Sequence, residues 1–178
     1  MRRIWVILLL WLGLVGGWVQ CEGETWPGVE FSYVKAYMYN LDNKLLGNHA
    51  MIKNGKLDGT VVGEGILLTP QQVETVVTLT NHDIGGLLAG LSKSFIPHHG
   101  LVFYNRLDQP VAYISLCFDG EGIRVSPEKK GKPIIAELPD QEIKRLLGVL
   151  EEYKRIIREL KLPIFNSPFE YQDYPQHK

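Results

Sequence analysis

Two runs rich in β-branched and aromatic residues, Leu101–Asn105 (LVFYN) and Val111–Phe118 (VAYISLCF), are separated by only five residues. Arg106 to Gln109 supply a polar turn, and Pro110 stands at its edge, where a missing amide costs the ladder little. A connection that short joins antiparallel strands, because parallel ones need a long crossover. The pair therefore predicts a hairpin near the middle of the chain. The remaining elements have to be arranged around it.

Val29–Asn40 (VEFSYVKAYMYN) reads as a strand, with Phe31, Tyr33, Tyr37 and Tyr39 on one face and Val34, Ala36 and Met38 on the other. Asp42-Asn43 marks a turn, and Leu45–Lys53 reads as a returning strand. Asn54-Gly55 is a two-residue hairpin signal, since both residues accept positive φ. Val61–Leu68 reads as a further strand, in which Gly63 and Gly65 point to a bulge or a close backbone approach. Thr69-Pro70-Gln71-Gln72 opens a helix with a capping residue, a proline at its first position and a glutamine that completes a capping box. Val73, Val76, Val77 and Thr80 line one face of it, and it should fail near Asn81–Gly86. Ile123–Ser126 and Pro133–Glu137 flank a basic turn and read as another hairpin.

Asp140–Lys161 predicts a long helix. Asp140 and Glu142 suit its N-terminus, Arg155, Arg158 and Lys161 its C-terminus. Ile143, Leu146, Leu147, Leu150, Tyr153, Ile157 and Leu160 form one apolar stripe. Pro163 ends it, and the proline-containing tail to Lys178 should be extended, with Phe165 and Phe169 packing back. The expected fold class is α+β, a single domain of mainly antiparallel sheet (about five to seven strands) with one short and one long C-terminal helix. The domain should span 24–162, with 163–178 as an extended, aromatic-rich tail.

The first residues are of another kind. Arg2 and Arg3 precede an uncharged run from Ile4 to Val19, the pattern of a secretory signal peptide over 1–21. Cleavage has no A-x-A step to use; a cut after Gly17 or after Gly23 leaves Val15 or Cys21 three residues back. Lipidation of Cys21 is a third route, against which the bulky Trp18 and the polar Gln20 stand. The run is shorter than a usual spanning helix and is interrupted by Gly13, Gly16 and Gly17. The expectation is an exported protein of the periplasm, exterior or cell surface. Its mature domain is expected to be soluble, touching a membrane only through a lipid on Cys21 or a retained leader.

Charge bounds the partners. The whole chain has 19 basic and 20 acidic residues, net −1. Without Arg2 and Arg3 the balance is 17 to 20, net −3. Neither value suits a nucleic-acid binder. Of the two cysteines, Cys21 lies in the leader, so Cys117 has no partner for a disulfide and reads as a small buried hydrophobe. There is no P-loop, G-x-S-x-G, H-E-x-x-H, C-x-x-C or EF-hand pattern, and no cofactor is expected.

Chemistry can gather in one place, the open end of the central hairpin, where Phe95-Ile96-Pro97-His98-His99-Gly100 meets Cys117-Phe118-Asp119-Gly120-Glu121-Gly122. Two registers are available. One sets His98 opposite Cys117, the other sets it opposite Asp119. Cys117 and His98 then read as a nucleophile and its base, with Asp119 or Asn105 as the orienting group. Alternatively His98, His99, Asp119 and Glu121 read as metal ligands, provided the backbone leaves the strand so that both imidazoles share a side. The plain alternative is a structural strand start followed by an Asp-Gly turn.

The stretch FIPHHGLVFYN, the turn at Asp108-Gln109-Pro110 and the strand VAYISLCF resemble a family of small uncharacterised secreted or lipoprotein-type bacterial proteins. In that family a histidine step leads into a similar aromatic strand, a polar turn and a cysteine-bearing strand. The resemblance covers about 99–127 well and the capped helix at Thr69 less well. It implies export and a bacterial source. Family members often carry cysteines at the positions of Ser94 and Gly120, and only Cys117 is kept here, which argues against a shared cysteine site. The lack of a strong catalytic signature or a charge bias, with the aromatic-rich first strand and tail, points to a non-catalytic binding or interaction module of the cell envelope or exterior, with Tyr33, Tyr37 and Tyr39 as an exposed patch. The alternative is a hydrolase or metal-dependent enzyme using His98, His99, Cys117 and Asp119. The sequence names no partner.

Overall fold

Residues 25–42, 50–83, 95–128 and 140–174 are described in a computed structural model. The leader with Cys21, most of the strand expected over Leu45–Lys53, and the strand expected over Pro133–Glu137 lie outside them.

The central hairpin forms as β5 (His99–Tyr104) and β6 (Pro110–Cys117). Around it stand β1 (Tyr33–Met38), β4 (Val62–Leu67) and β7 (Gly122–Ser126), giving an antiparallel sheet in the order β4-β1-β5-β6-β7. Asn54 and Gly55, both at positive φ, turn β2 (Ile52–Lys53) into β3 (Lys56–Leu57) as a separate small hairpin. The fold is α+β in one domain, as the pattern of strands and helices predicts.

The short helix α1 (Pro70–Thr78) begins as its sequence demands. The Thr69 hydroxyl accepts from the Gln72 amide at 3.2 Å, and the Gln72 side chain accepts from the Thr69 amide at 3.0 Å. It then widens into a π-helical turn over Leu79–Asp83. Thr80 in that turn bonds the Val76 carbonyl at 2.7 Å and the Tyr153 hydroxyl at 2.9 Å, which ties it to α2 (Asp140–Glu159).

The sheet has two covered faces. Val34, Ala36, Leu101, Phe103, Ile114 and Leu116 pack against Val76 of α1 and Leu146, Leu150, Tyr153 and Ile157 of α2. The other face carries Tyr37, Tyr39, Val102 and Tyr104 and buries Met51 beside Ile52 and Leu57 of the small hairpin. Two glycines make room. A Cβ on Gly100 would overlap the Met51 thioether, and one on Gly65 would overlap the Tyr37 ring. Gly65 fulfils the close approach expected of it, at φ +74°.

Three expectations are corrected here. The first strand starts at Tyr33, not Val29, so Phe31 escapes the alternation and sets its ring edge-on to Phe103 on the helix-covered side, 5.0 Å between centroids. A register shift between Ala36 and Met38 turns Met38 out of that core into a third cluster with Leu41 and Tyr171. The tail is not extended and is not separate from the domain. Ser167 caps α3 (Pro168–Gln172), whose Tyr171 is buried, while Phe169 points into solvent at 73% exposure.

Candidate functional site

The open end of the hairpin has the first of the two registers. His99 pairs with Leu116 and Gly100 with Ser115, a run that places His98 opposite Cys117, and the His98 amide bonds the Leu116 carbonyl at 3.3 Å. An extra residue near the turn, between the Phe103–Ala112 and Tyr104–Pro110 pairs, absorbs the difference.

His98 and His99 are 1% and 0% exposed. The strand begins only at His99, so the two imidazoles are not forced to opposite sides. Both meet Tyr171. His98 stacks on its ring at 3.9 Å and 20°, and His99 meets it edge-on at 5.7 Å and 76°. The His98 Nδ1 lies 3.1 Å from the Asn40 carbonyl, and the His99 Nε2 lies 2.8 Å from the Pro163 carbonyl. A carbonyl only accepts, so these are the protonated nitrogens. The other two, Nε2 of His98 and Nδ1 of His99, are buried lone pairs with no hydrogen-bond partner among the described residues. Burial lowers the pKa of both rings, that of His99 to about 4, although the Asp119 charge pulls His98 the other way.

Cys117 is fully buried and its Sγ donates to the Asp119 carboxylate at 3.3 Å. Burial, reinforced by that negative charge, pushes the thiol up to about 12. A nucleophilic cysteine needs the opposite surroundings. Asp119 thus meets the thiol as an acceptor, not an imidazole as its orienting group. Asp119 and Glu121 are exposed, with Glu121 at φ 47° in the turn before β7. Among the described residues no three His, Cys, Asp or Glu side chains are placed to hold a metal ion. The cluster named by the sequence is gathered, then, but gathered as packing, and the aromatic at its centre, Tyr171, is the residue that sequence reasoning missed. Its proline-flanked setting masked the short capped helix that delivers it.

The tyrosines do not make an exposed patch. Tyr37 and Tyr39 are 3% and 0% exposed; their hydroxyls bond Tyr104 at 2.7 Å and Ser115 at 2.8 Å. The small β2–β3 hairpin covers this face, and a strand pattern alone does not reveal that cover. Tyr33 is half-buried. Its ring stacks on Tyr104 at 4.9 Å and its hydroxyl donates to Asp108 at 2.9 Å.

Tyr33 leads to the other end of the hairpin, where the surface is open. Asn105 organises the turn: its side-chain oxygen accepts from the amides of Leu107 at 2.9 Å and Gln109 at 3.0 Å, and its amide bonds the Gln109 carbonyl at 3.0 Å. Leu107 is presented on this braced loop at 76% exposure. Beside it runs the segment 25–32. Its Trp26 exchanges two hydrogen bonds of 2.8 Å with the Asn81 side chain and packs edge-on to Phe103 at 5.0 Å. Two open grooves flank this segment. One of about 560 Å³ is lined by Trp26, Gly28, Phe31, Val77 and Asn81; the other, of about 510 Å³, by Ser32, Asn105, Arg106 and Leu107. Val29, Glu30 and Phe31 line both, as the ridge between them. No described helix is long and apolar enough to cross a membrane. Compared with protein-family models, curated proteins and solved structures, the chain matches none of them.

Proposed function

We propose that the chain is an exported, non-catalytic binding module and that it binds through the turn end of its central hairpin. One observation supports this reading above the rest. Val29, at 43% exposure, and Leu107, at 76%, stand in open ground on and beside a ridge that separates two grooves. A braced turn and a segment anchored by Trp26 hold them in place. Apolar side chains at the centre with Glu30 and Arg106 at the rim are the anatomy of a protein–protein contact. The grooves are open along their length, unlike the enclosing clefts that bury most of a small ligand. The occupant is therefore another protein. Export rests on the Arg2–Val19 pattern and on the family resemblance; a lipid tether on Cys21 is the minority route, against which Trp18 and Gln20 stand.

The catalytic reading on His98, His99, Cys117, Asp119 and Glu121 draws no support from the geometry. The thiol is held protonated and the carboxylates face solvent. Site-specific photo-crosslinking tests the binding face. A photoreactive residue in place of Leu107, in the cells that make the protein, should give a discrete adduct that Val29→Asp abolishes. The same group at the exposed Phe169 should give none. An absent adduct at 107, or an equal one from 169, sinks the proposal.

A further inference from the structure

The second candidate region is the buried histidine pair under α3. Tyr171 is the residue by which α3 is held: it is 1% exposed, stacks on His98, meets His99 edge-on, and its hydroxyl accepts from the Phe165 amide at 3.2 Å. A five-residue helix has no stability of its own. Its place depends on what lies beneath Tyr171.

What lies beneath differs between the two rings. The Nδ1–H of His98 already has the Asn40 carbonyl, and its ring faces the Tyr171 π-cloud and the Asp119 charge. Both favour a cation. His99 has the Pro163 carbonyl on Nε2, the Phe118 ring at 5.1 Å and Tyr171 on its edge. Its Nδ1 has no hydrogen-bond partner among the described residues, and a proton arriving there finds no acceptor among them; Nε2 of His98 is likewise unpartnered, but there the Asp119 charge and the Tyr171 face offset part of the cost. Among the described residues the titratable groups around the pair are the protonated Cys117, which ends β6, Asp119 two residues further on, Glu170, which acts on Tyr171 from α3, and Lys154 of α2, 5.9 Å from the centre of the Phe118 ring. A proton on either imidazole also opposes one on the other.

We propose that His99 is an acid-sensitive latch on the C-terminal segment: on protonation, Pro163–Tyr174 detaches from the sheet while the sheet stays folded. Detachment lets water reach Nδ1 of His99 and uncovers the apolar Met38 and Leu41, which share a cluster with Tyr171. The direction follows from linkage. The pKa of His99 is about 4 in the closed form, against an ordinary imidazole value near 6.5, so the open form binds the proton more tightly. The closed form is at full strength above about pH 6.5 and weakens as pH falls towards its own pKa. One group with these values lowers the closed-to-open ratio about a hundredfold between pH 7 and pH 4.

Amide hydrogen exchange on the purified protein, corrected for the intrinsic pH dependence of exchange, reads this ratio. The amides of Phe165, Glu170 and Tyr174 are bonded within the segment and should lose about a hundredfold protection from pH 7 to pH 4. Amides of β5 and β6 should keep theirs. His99→Gln retains an N–H for the Pro163 carbonyl but gains no charge in this range, and it should remove most of the tail's response, leaving the share of His98, whose pKa burial also lowers. If that variant does not fold, the His99 ring resonance in the native protein decides, with an expected midpoint well below 6.5. Tail protection that is constant to pH 4, or lost together with that of β5 and β6, overturns the proposal. So does an unchanged response in folded His99→Gln, or an ordinary His99 midpoint.

Discussion

The two ends of the β5–β6 hairpin are built from the same pair of strands and meet different surroundings. At the open end, His98, His99 and Cys117 are roofed by Tyr171 and the chain around Pro163, and each polar atom is either paired or shut away from water. At the turn end, Asn105 spends its hydrogen bonds on holding a loop that offers Leu107 to solvent. Residue types with reactive side chains sit where nothing can reach them, and unreactive ones sit where a partner can. A histidine or cysteine draws attention in a sequence because of what it does in water. Its pKa and its access are set by the neighbours that folding brings, and here they silence it.

This contrast is open to direct attack. The largest expected effect is on Cys117. With its thiol at about 12, the thiolate fraction at neutral pH is about a thousandfold below that of an ordinary cysteine. Alkylation by iodoacetamide at pH 8 should be negligible until denaturant is added. Rapid labelling of the native protein would break the contrast at once.

Next comes Phe103, against which Trp26 and Phe31 both set their edges at 5.0 Å. Phe103→Ala should cost about 3–5 kcal/mol in urea unfolding, the range for an aromatic removed from a core. A loss under about 1 kcal/mol would mean that the turn-end ridge is not seated on the core. Gly100→Ala should cost about 1–3 kcal/mol by overpacking, since the added methyl occupies the space of the Met51 thioether. Measured in a Met51→Ala background, the same substitution should cost less than it does alone, which sharpens the case that space, and not backbone conformation, is the cause. The smallest effect belongs to Leu107→Ser, within about 0.5 kcal/mol of the parent in the same unfolding measurement. A clear destabilisation there would show that Leu107 is a structural residue and remove it from the proposed binding face.

Local signals were legible because they act over a few residues. The Thr69 capping box, the Asn54-Gly55 turn, the glycine approach at Gly65 and the stripe of α2 all appear as the sequence predicts. The hairpin register narrowed to two choices and the structure took one. The errors came from contacts between elements distant in the chain. Tyr37 and Tyr39 look exposed until a hairpin whose Met51 fits against Gly100 is laid over them. Phe169 looks like an anchor and Tyr171 does not, because a one-turn helix reverses which aromatic of the tail faces inward. The turn-end ridge gave little signal in advance, since Val29 and Glu30 read as the start of a strand.

One of the two outer strands described, β4, carries one more consequence. Ile66 and Leu67 are exposed at 38% and 59%, and among the described residues β4 has a strand neighbour on one side only. An unpaired apolar strand edge is a template on which further chains can assemble into fibrils. Gly63 and Gly65, at φ +71° and +74°, interrupt the regular spacing of amides along it, and the ammonium group of Lys35 occupies the Glu64 carbonyl at 3.0 Å. The border is thereby denied the even ladder that a growing fibril requires. Replacing the two glycines by residues that favour extended backbone should therefore raise the tendency to aggregate at high concentration, which light scattering on concentrated samples reads.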